Sequence, residues 1–247
     1  MEWRDRAIIL GVRRHGETSA VAELMTRERG RHLGLVRGGR SRRQQPVLQP
    51  GNEIEATWRA RLDEHLGAMT VEPVALRAAL LMESPLALHG VQLVAAHLRL
   101  LAEREPHPRL YDALAAILEA LDEVAGLPRM ILGFEVALLE DMGFGLDLEC
   151  CALTGAREGL AYVSPRTGRA VTAEAGEPWR DKLLPLPVLM TEEERMIPAG
   201  EEAGQLAQGY ALTGHFLARH LWEPRNLPEP APRRAFLAAC HADGQGA

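Results

Sequence analysis

Hydrophobic and polar positions alternate in short bursts through the first third of the chain and fall into helical spacing beyond it. Ala7 to Arg14 reads as a strand, and His15-Gly16-Glu17-Thr18-Ser19 as a turn cluster. Ala20 to Thr26 is a second strand, Arg27-Glu28-Arg29-Gly30 a hairpin turn, and Arg31 to Arg37 a third strand with Leu33 and Leu35 on one face. The stretch Gly38 to Pro46 fits neither strand nor helix and reads as a flexible loop. After the Pro50-Gly51 turn, Asn52 to Ala60 alternates with Ile54, Ala56 and Trp58 on one face, and Leu66 to Val74 makes a fifth strand broken at Pro73. Five short strands with tight turns predict a small barrel, because closure removes sheet edges. A five-stranded Greek-key OB-fold leads; an SH3-like barrel has a similar strand count, and periodicity does not separate them.

Beyond Pro73 the spacing lengthens. Leu110, Leu114, Ile117, Leu118 and Leu121 share one helical face, as do Leu127, Ile131, Phe134 and Leu138. Pro128 stands where a helix start tolerates it. Leu86 to Glu103 reads as a more uniformly apolar, central helix. Residues 146–187 are rich in Gly, Pro, Thr and Arg, with little periodicity. Helices resume near Glu192, break at Pro198 to Gly200 and run to about Leu221, with Leu206, Tyr210, Leu217 and Leu221 on one face. A final helix spans Pro232 to Cys240, and the end, 241–247, is expected to fray. The expected architecture is multi-domain α+β, with a barrel over 1–78 and a helical domain over 79–247 interrupted by the 146–187 insertion.

Composition allows a real core: 47% of the 247 residues are hydrophobic and 25% charged. With aromatics at 4%, that core rests on Leu, Val, Ala and Ile. No apolar run approaches the roughly 20 residues of a bilayer span, and Ala7 to Leu10 is too short for a signal peptide. Three cysteines, Cys150, Cys151 and Cys240, do not make a disulfide scaffold. A cytoplasmic protein is expected.

Charge changes the picture more than composition does. The net charge of −6 opposes nucleic-acid binding, but residues 1–61 hold 13 Arg against 7 acids and the remainder 15 basic residues against 27 acids, local balances of +6 and −12. From Arg27 to Arg43 there are seven Arg and one acid, Glu28. Arg on the third strand and on the 38–46 loop would stand together on one barrel rim. There, Gly38 and Gly39 let the backbone approach a phosphate chain, and guanidinium groups offer paired donors. Arg37, Arg40, Arg42 and Arg43 are the first-rank DNA contacts; Arg13, Arg14, Arg29 and Arg31 are second rank. Trp3 and Trp58 are the only aromatics in the first 75 residues. Backbone-dominated, sequence-tolerant binding is therefore expected. The alternative is a protein-docking adaptor whose barrel does not touch DNA.

Catalytic signatures are missing from the sequence. It has no Gly-rich phosphate loop ending in Lys-Ser/Thr, no Gly-x-Ser-x-Gly turn and no His-Glu-x-x-His motif. His215 and His220, five apart, lie roughly 140° apart on a helix, a poor pair for one metal. Cys150-Cys151 has no second cysteine pair to complete a structural zinc set.

Five blocks together carry a family resemblance: Trp3-Arg4-Asp5 with Ala7 to Leu10; Gly16-Glu17-Thr18-Ser19; Thr26 with Gly30-Arg31; Val36-Arg37-Gly38-Gly39-Arg40-Ser41 with Arg43; and Leu48-Gln49-Pro50-Gly51. Further matches run from Arg129 to Phe144, from Leu160 to Val171, and near Arg225-Asn226-Leu227 with Arg233 and Phe236. In these, nearly along its whole length, the chain resembles the RecO recombination mediator family. The resemblance implies an N-terminal OB domain, a helical domain with a zinc-ribbon-like insertion, and a non-enzymatic role. It also implies binding of single- and double-stranded DNA, annealing of complementary strands, and action with RecR to load RecA on SSB-coated strands in RecF-pathway repair, with the SSB C-terminal tail as a further partner. It places the protein in the cytoplasm at the nucleoid. Cys151 matches the first of four zinc cysteines, but Thr154, Thr172 and Ala175 stand at the others, so the insertion is expected to hold without zinc or any other cofactor.

Overall fold

A computed structural model describes residues 1–62, 64–191 and 200–243. Strand β1 (Glu2–His15) starts five residues ahead of the apolar run that the sequence marks. Charged neighbours hide the alternation there: Trp3 points inward while Glu2 and Arg4 stay exposed. The N-terminal half of β1 pairs with β4 (Glu53–Arg59), and its C-terminal half pairs with β2 (Ser19–Thr26). A register shift between Ile9 and Gly11 bends the strand from one partner to the other. β2 pairs with β3 (Gly30–Val36), and β5 (Ala68–Ala75) pairs with β4 and touches β3 in parallel at Leu35 and Ala68. The sheet thereby closes in the order β1-β2-β3-β5-β4.

Inward side chains fill this barrel. Ile9, Leu24, Ile54, Trp58 and Met69 are almost wholly buried, and small Ala20, Ala22 and Ala56 let the walls approach. Each large side chain contributes about 1.5–3 kcal/mol by burial. Ala7 to Gly11 are buried on both faces, because helix α2 (Pro85–Leu98) packs on β1 from outside.

The chain divides into two compact units, Met1–Leu127 with Pro230–Ala239, and Pro128–Glu229 with Cys240–Ala247. The first holds the barrel, α1 (Ala78–Glu83), which no sequence pattern marks, α2 (Pro85–Leu98), α3 (Pro108–Glu119) and most of the helix over Ala231–Asp243. Ser84 caps α2 by accepting the Ala87 N–H at 3.2 Å, with Pro85 in the first turn. α2 stops at Leu98, short of the expected Glu103, because the chain turns back to the barrel: the Arg104 N–H donates to Arg31 O at 2.7 Å.

The second unit contains α4 (Leu127–Asp141) and α6 (Glu202–Leu217), which continues into a π turn over Ala218–Trp222. Tyr210, Leu217 and Leu221 are buried on the face that their spacing marks. The Tyr210 hydroxyl donates to Pro128 O at 2.5 Å, and Thr213 donates to the buried Glu135 carboxylate at the same distance. The expected helix start at Glu192 and break from Pro198 fall on 192–199, outside the described residues. The 146–187 stretch, read as aperiodic, carries a small sheet ordered β7-β6-β8 from β6 (Leu160–Val163), β7 (Ala170–Thr172) and β8 (Leu184–Pro185). A short helix, α5 (Ala173–Gly176), follows β7. Helix α7 (Ala231–Asp243) extends past the expected Cys240, so 241–243 are helical rather than frayed. Among the described residues, no helix is long and apolar enough to cross a membrane.

Candidate nucleic-acid interface

The 38–46 segment is tethered rather than flexible. Gly38 takes a φ of +66°, and Gly39 packs so close to the barrel that an added Cβ would lie 2.9 Å from that of Ala20. Successive turns follow: Ser41 N–H donates to Gly38 O, Gln44 N–H to Ser41 O, and Leu48 N–H to Gln44 O, at 2.9–3.0 Å. Val47 and Leu48 then plug into the barrel core. Buried Asn52 fixes the far end, its Nδ2 donating to Pro46 O at 2.8 Å and Val47 O at 3.0 Å. No local pattern in the sequence marks these tethers, because the anchoring groups come from different stretches of chain.

The eight arginines singled out from sequence fall into three places. Arg37, Arg42 and Arg43 are exposed on or beside the loop, and among the described residues they make no ion pair. Arg40 lies between them but is engaged: its Nη1 donates to Gly16 O at 3.0 Å and Glu17 O at 2.6 Å, and its backbone N–H to Thr18 O at 3.0 Å. It buttresses the β1–β2 turn against the loop. Arg14 lines a hollow of about 380 Å³ with Arg40, Glu17 and Gln45, so it joins this end of the barrel. Arg13, exposed, belongs to the outer face of β1.

Arg29 and Arg31 do not join the rim. They sit at the other end of β3, where Arg31 is six residues, about 20 Å of strand, from Arg37. The Arg29 guanidinium lies 5.6 Å from the Trp3 ring centre, and its backbone N–H donates to Thr26 Oγ1 at 3.0 Å. Arg31 donates to Glu23 Oε1 at 2.6 Å and to Leu101 O at 3.1 Å. The expectation that strand-three and loop arginines share one rim therefore holds only for Arg37. A strand carries its first and last residues to opposite ends of a barrel, however close they lie in sequence.

Neither Trp3 nor Trp58 offers a stacking platform. Both are buried, with ring centres 6.0 Å apart and the His32 ring beside each. Trp58 Nε1 donates to Leu66 O at 2.9 Å. What this end of the barrel presents is charge on a fixed backbone, suited to phosphate oxygens rather than bases.

Among the described residues no cluster of three or more His, Cys, Asp or Glu could hold a metal. Cys151, Thr154, Thr172 and Ala175 offer one thiol, two hydroxyls and a methyl, a donor set that does not fit zinc. Their local bonds take another form. The Thr172 N–H donates to Cys151 Sγ at 3.4 Å, and Thr172 Oγ1 lies 3.7 Å from that sulfur and accepts the Ala175 N–H at 3.4 Å. Burial pushes the Cys151 thiol pKa up, but the Thr154 hydroxyl and the N–H groups of Thr172, Leu153 and Thr154 outweigh it and bring it down to about 6.

Comparison with known proteins places the chain among proteins of DNA recombination and repair. The family model described as Recombination protein O N terminal matches residues 1–77, and the one described as Recombination protein O C terminal matches residues 87–228. DNA repair protein RecO of Chelativorans sp. (strain BNC1) is 59% identical over 243 residues, covering 97% of this chain and 95% of that protein. Its counterpart in Rhizobium etli (strain CIAT 652) is 57% identical, covering 97% of this chain and 92% of its own. That of Brucella abortus (strain 2308) is 53% identical, covering 97% and 96%. The chain belongs to the RecO family, and its role lies in DNA repair.

Proposed function

We propose that this protein is a non-enzymatic recombination mediator that grips the sugar-phosphate backbone of single- and double-stranded DNA. The observation that carries the reading is the trio of exposed guanidinium groups, Arg37, Arg42 and Arg43, on a loop fixed to the barrel core. Fixed cations bind a phosphate chain without first being ordered, and counterion release supplies affinity at any sequence. Family membership supports the same reading. The cyclic strand order supports an OB-type barrel, and the DNA-binding division of labour falls to 1–78. The helical part, 79–247, takes protein partners: RecR, with which the protein helps load RecA in RecF-pathway repair, and the C-terminal tail of SSB. The 146–187 insertion is zinc-ribbon-like in descent and holds without metal or other cofactor. The protein acts in the cytoplasm at the nucleoid.

The test is annealing of complementary strands coated with SSB, with no nucleotide added. Faster annealing with the protein, lost in the Arg42→Glu/Arg43→Glu variant, supports the proposal. An unchanged rate, with no salt-sensitive retention on single strands, points instead to a docking adaptor.

A further inference from the structure

The outer face of the β1-β2-β3 sheet carries a second cluster of guanidinium groups, away from the loop. Arg13 on β1, Arg31 on β3 and Arg99 at the end of α2 line one hollow of about 390 Å³ with Gly11, Glu23 and Leu33. Glu23, on β2, is shared by two of the three cations. Its Oε1 accepts from Arg31 Nη1 at 2.6 Å and its Oε2 from Arg99 Nε at 2.9 Å. Two guanidinium groups on the two oxygens of one anion is the arrangement that a phosphodiester also takes. The site is shaped around Arg99: a Cβ at Gly11 would lie 1.9 Å from its Nη2, so glycine leaves the space that this guanidinium fills. Arg99 also donates to Leu10 O. The other nearby carboxylate, Glu103, takes the Leu33 N–H at 3.4 Å and lies 3.4 Å from Arg104. Counting Arg13, Arg31 and Arg99 against Glu23, the hollow keeps a positive excess.

The face also continues toward the loop. Arg13 pairs across the sheet with Val21, and Val21 with Leu35, so the three form one row. Arg37 follows two residues after Leu35.

We propose that this hollow is a second phosphodiester subsite and that Glu23 is its built-in competitor: a backbone phosphate of single-stranded nucleic acid displaces the carboxylate from Arg31 and Arg99. Arg13, exposed and without an ion pair among the described residues, is the entry cation. This rests on the DNA-binding reading above and adds a subsite and a brake to it. In the free protein Glu23 keeps the face closed to weak or isolated anions. A polyanion already held at the loop arrives at high local concentration and opens it.

Glu23→Gln keeps the size of the side chain and removes its charge. Binding of oligothymidylate is followed by fluorescence anisotropy over a range of salt concentrations, beside wild type and Arg99→Ala. Glu23→Gln is expected to bind more tightly at every salt concentration, because no competing carboxylate has to be displaced, with a log–log salt slope close to that of wild type, since the same phosphates are held. Arg99→Ala is expected to bind more weakly, with a slope shallower by roughly 0.7, the share of one single-strand phosphate. Affinity equal to wild type in Glu23→Gln, at unchanged melting temperature, overturns the proposal. If Glu23→Gln does not fold, Arg99→Ala decides. Its side chain is 41% exposed, and a loss of folded fraction lowers apparent affinity without changing the slope; an unchanged slope there overturns the proposal too. Arg42→Glu/Arg43→Glu, measured alongside, separates the two readings. If it loses binding while Glu23→Gln and Arg99→Ala behave as wild type, only the second subsite falls. If it binds as wild type while Glu23→Gln tightens, only the loop reading falls.

Discussion

Asn52 is fully buried, and its amide makes four hydrogen bonds to backbone. Nδ2 donates to Pro46 O and Val47 O at 2.8 and 3.0 Å, and Oδ1 accepts the N–H groups of Arg77 and Ala78 at 2.7 and 3.2 Å. One side chain thus ties the foot of the cationic loop to the start of α1. Asn52→Ala removes all four bonds. At about 1 kcal/mol net for each, and more for groups left dry, the loss is about 4 kcal/mol, a large share of a typical 5–15 kcal/mol. Asn52→Asp keeps the oxygen that accepts both N–H groups but turns a second oxygen toward two carbonyls, so its loss at neutral pH is expected to be at least as large. Urea unfolding measures both variants, and hydrogen exchange at the Val47 and Leu48 amides, which bond to Gln44 O, reports the loop itself. A change below about 1 kcal/mol in Asn52→Ala, with exchange as slow as in wild type, would refute the tether.

Three other outcomes follow from local geometry. Gly67 has a φ of +67°, and a Cβ there would lie 2.2 Å from Trp58 Nε1; Gly67→Ala is expected to cost about 2–4 kcal/mol in urea unfolding and to shift tryptophan emission, and near-wild-type values of both would contradict this. The Cys151 thiol is brought from 9.0 to about 6 by the fold. Its stabilisation is therefore complete above pH 9 and lost as pH falls through 6, so the stability gap between wild type and Cys151→Ser should widen from pH 6 to pH 9, and a flat gap denies it. The Arg27 guanidinium, 2.9 and 3.0 Å from the two Asp112 oxygens, holds that carboxyl below its ordinary 3.8. The small advantage of wild type over Asp112→Asn should be present above pH 3.8 and vanish in stronger acid, as thermal melts across that range will show.

Alternation located β3 and β4 to within about two residues, because each has one face on the barrel core and one partly exposed; β2, covered on both faces, is marked by the turns that bound it. The pattern missed the start of β1, where charged residues flank Trp3, and it missed α1, six residues with no polar face to mark them. It also ran α2 on to Glu103, since nothing local announces that the chain leaves the helix to bond with Arg31 O. The basic loop was legible as a run of charge. The division of labour within it was not: Arg40 is engaged by carbonyls 23 and 24 residues away, while Arg42 and Arg43 stay exposed. Arg99 escaped notice because it lies at the end of an apolar helical stretch far from the basic segment, and only the packing of α2 on β1 brings it to Glu23.

Salt dependence of single-strand binding by the Arg37→Glu/Arg42→Glu/Arg43→Glu protein puts the gripping loop to its plainest trial. Affinity should fall at every sequence, and the slope of log affinity against log salt should flatten by roughly 2, the share of three single-strand phosphates. Wild-type affinity and slope in a variant that melts like wild type would mean that the loop does not hold DNA.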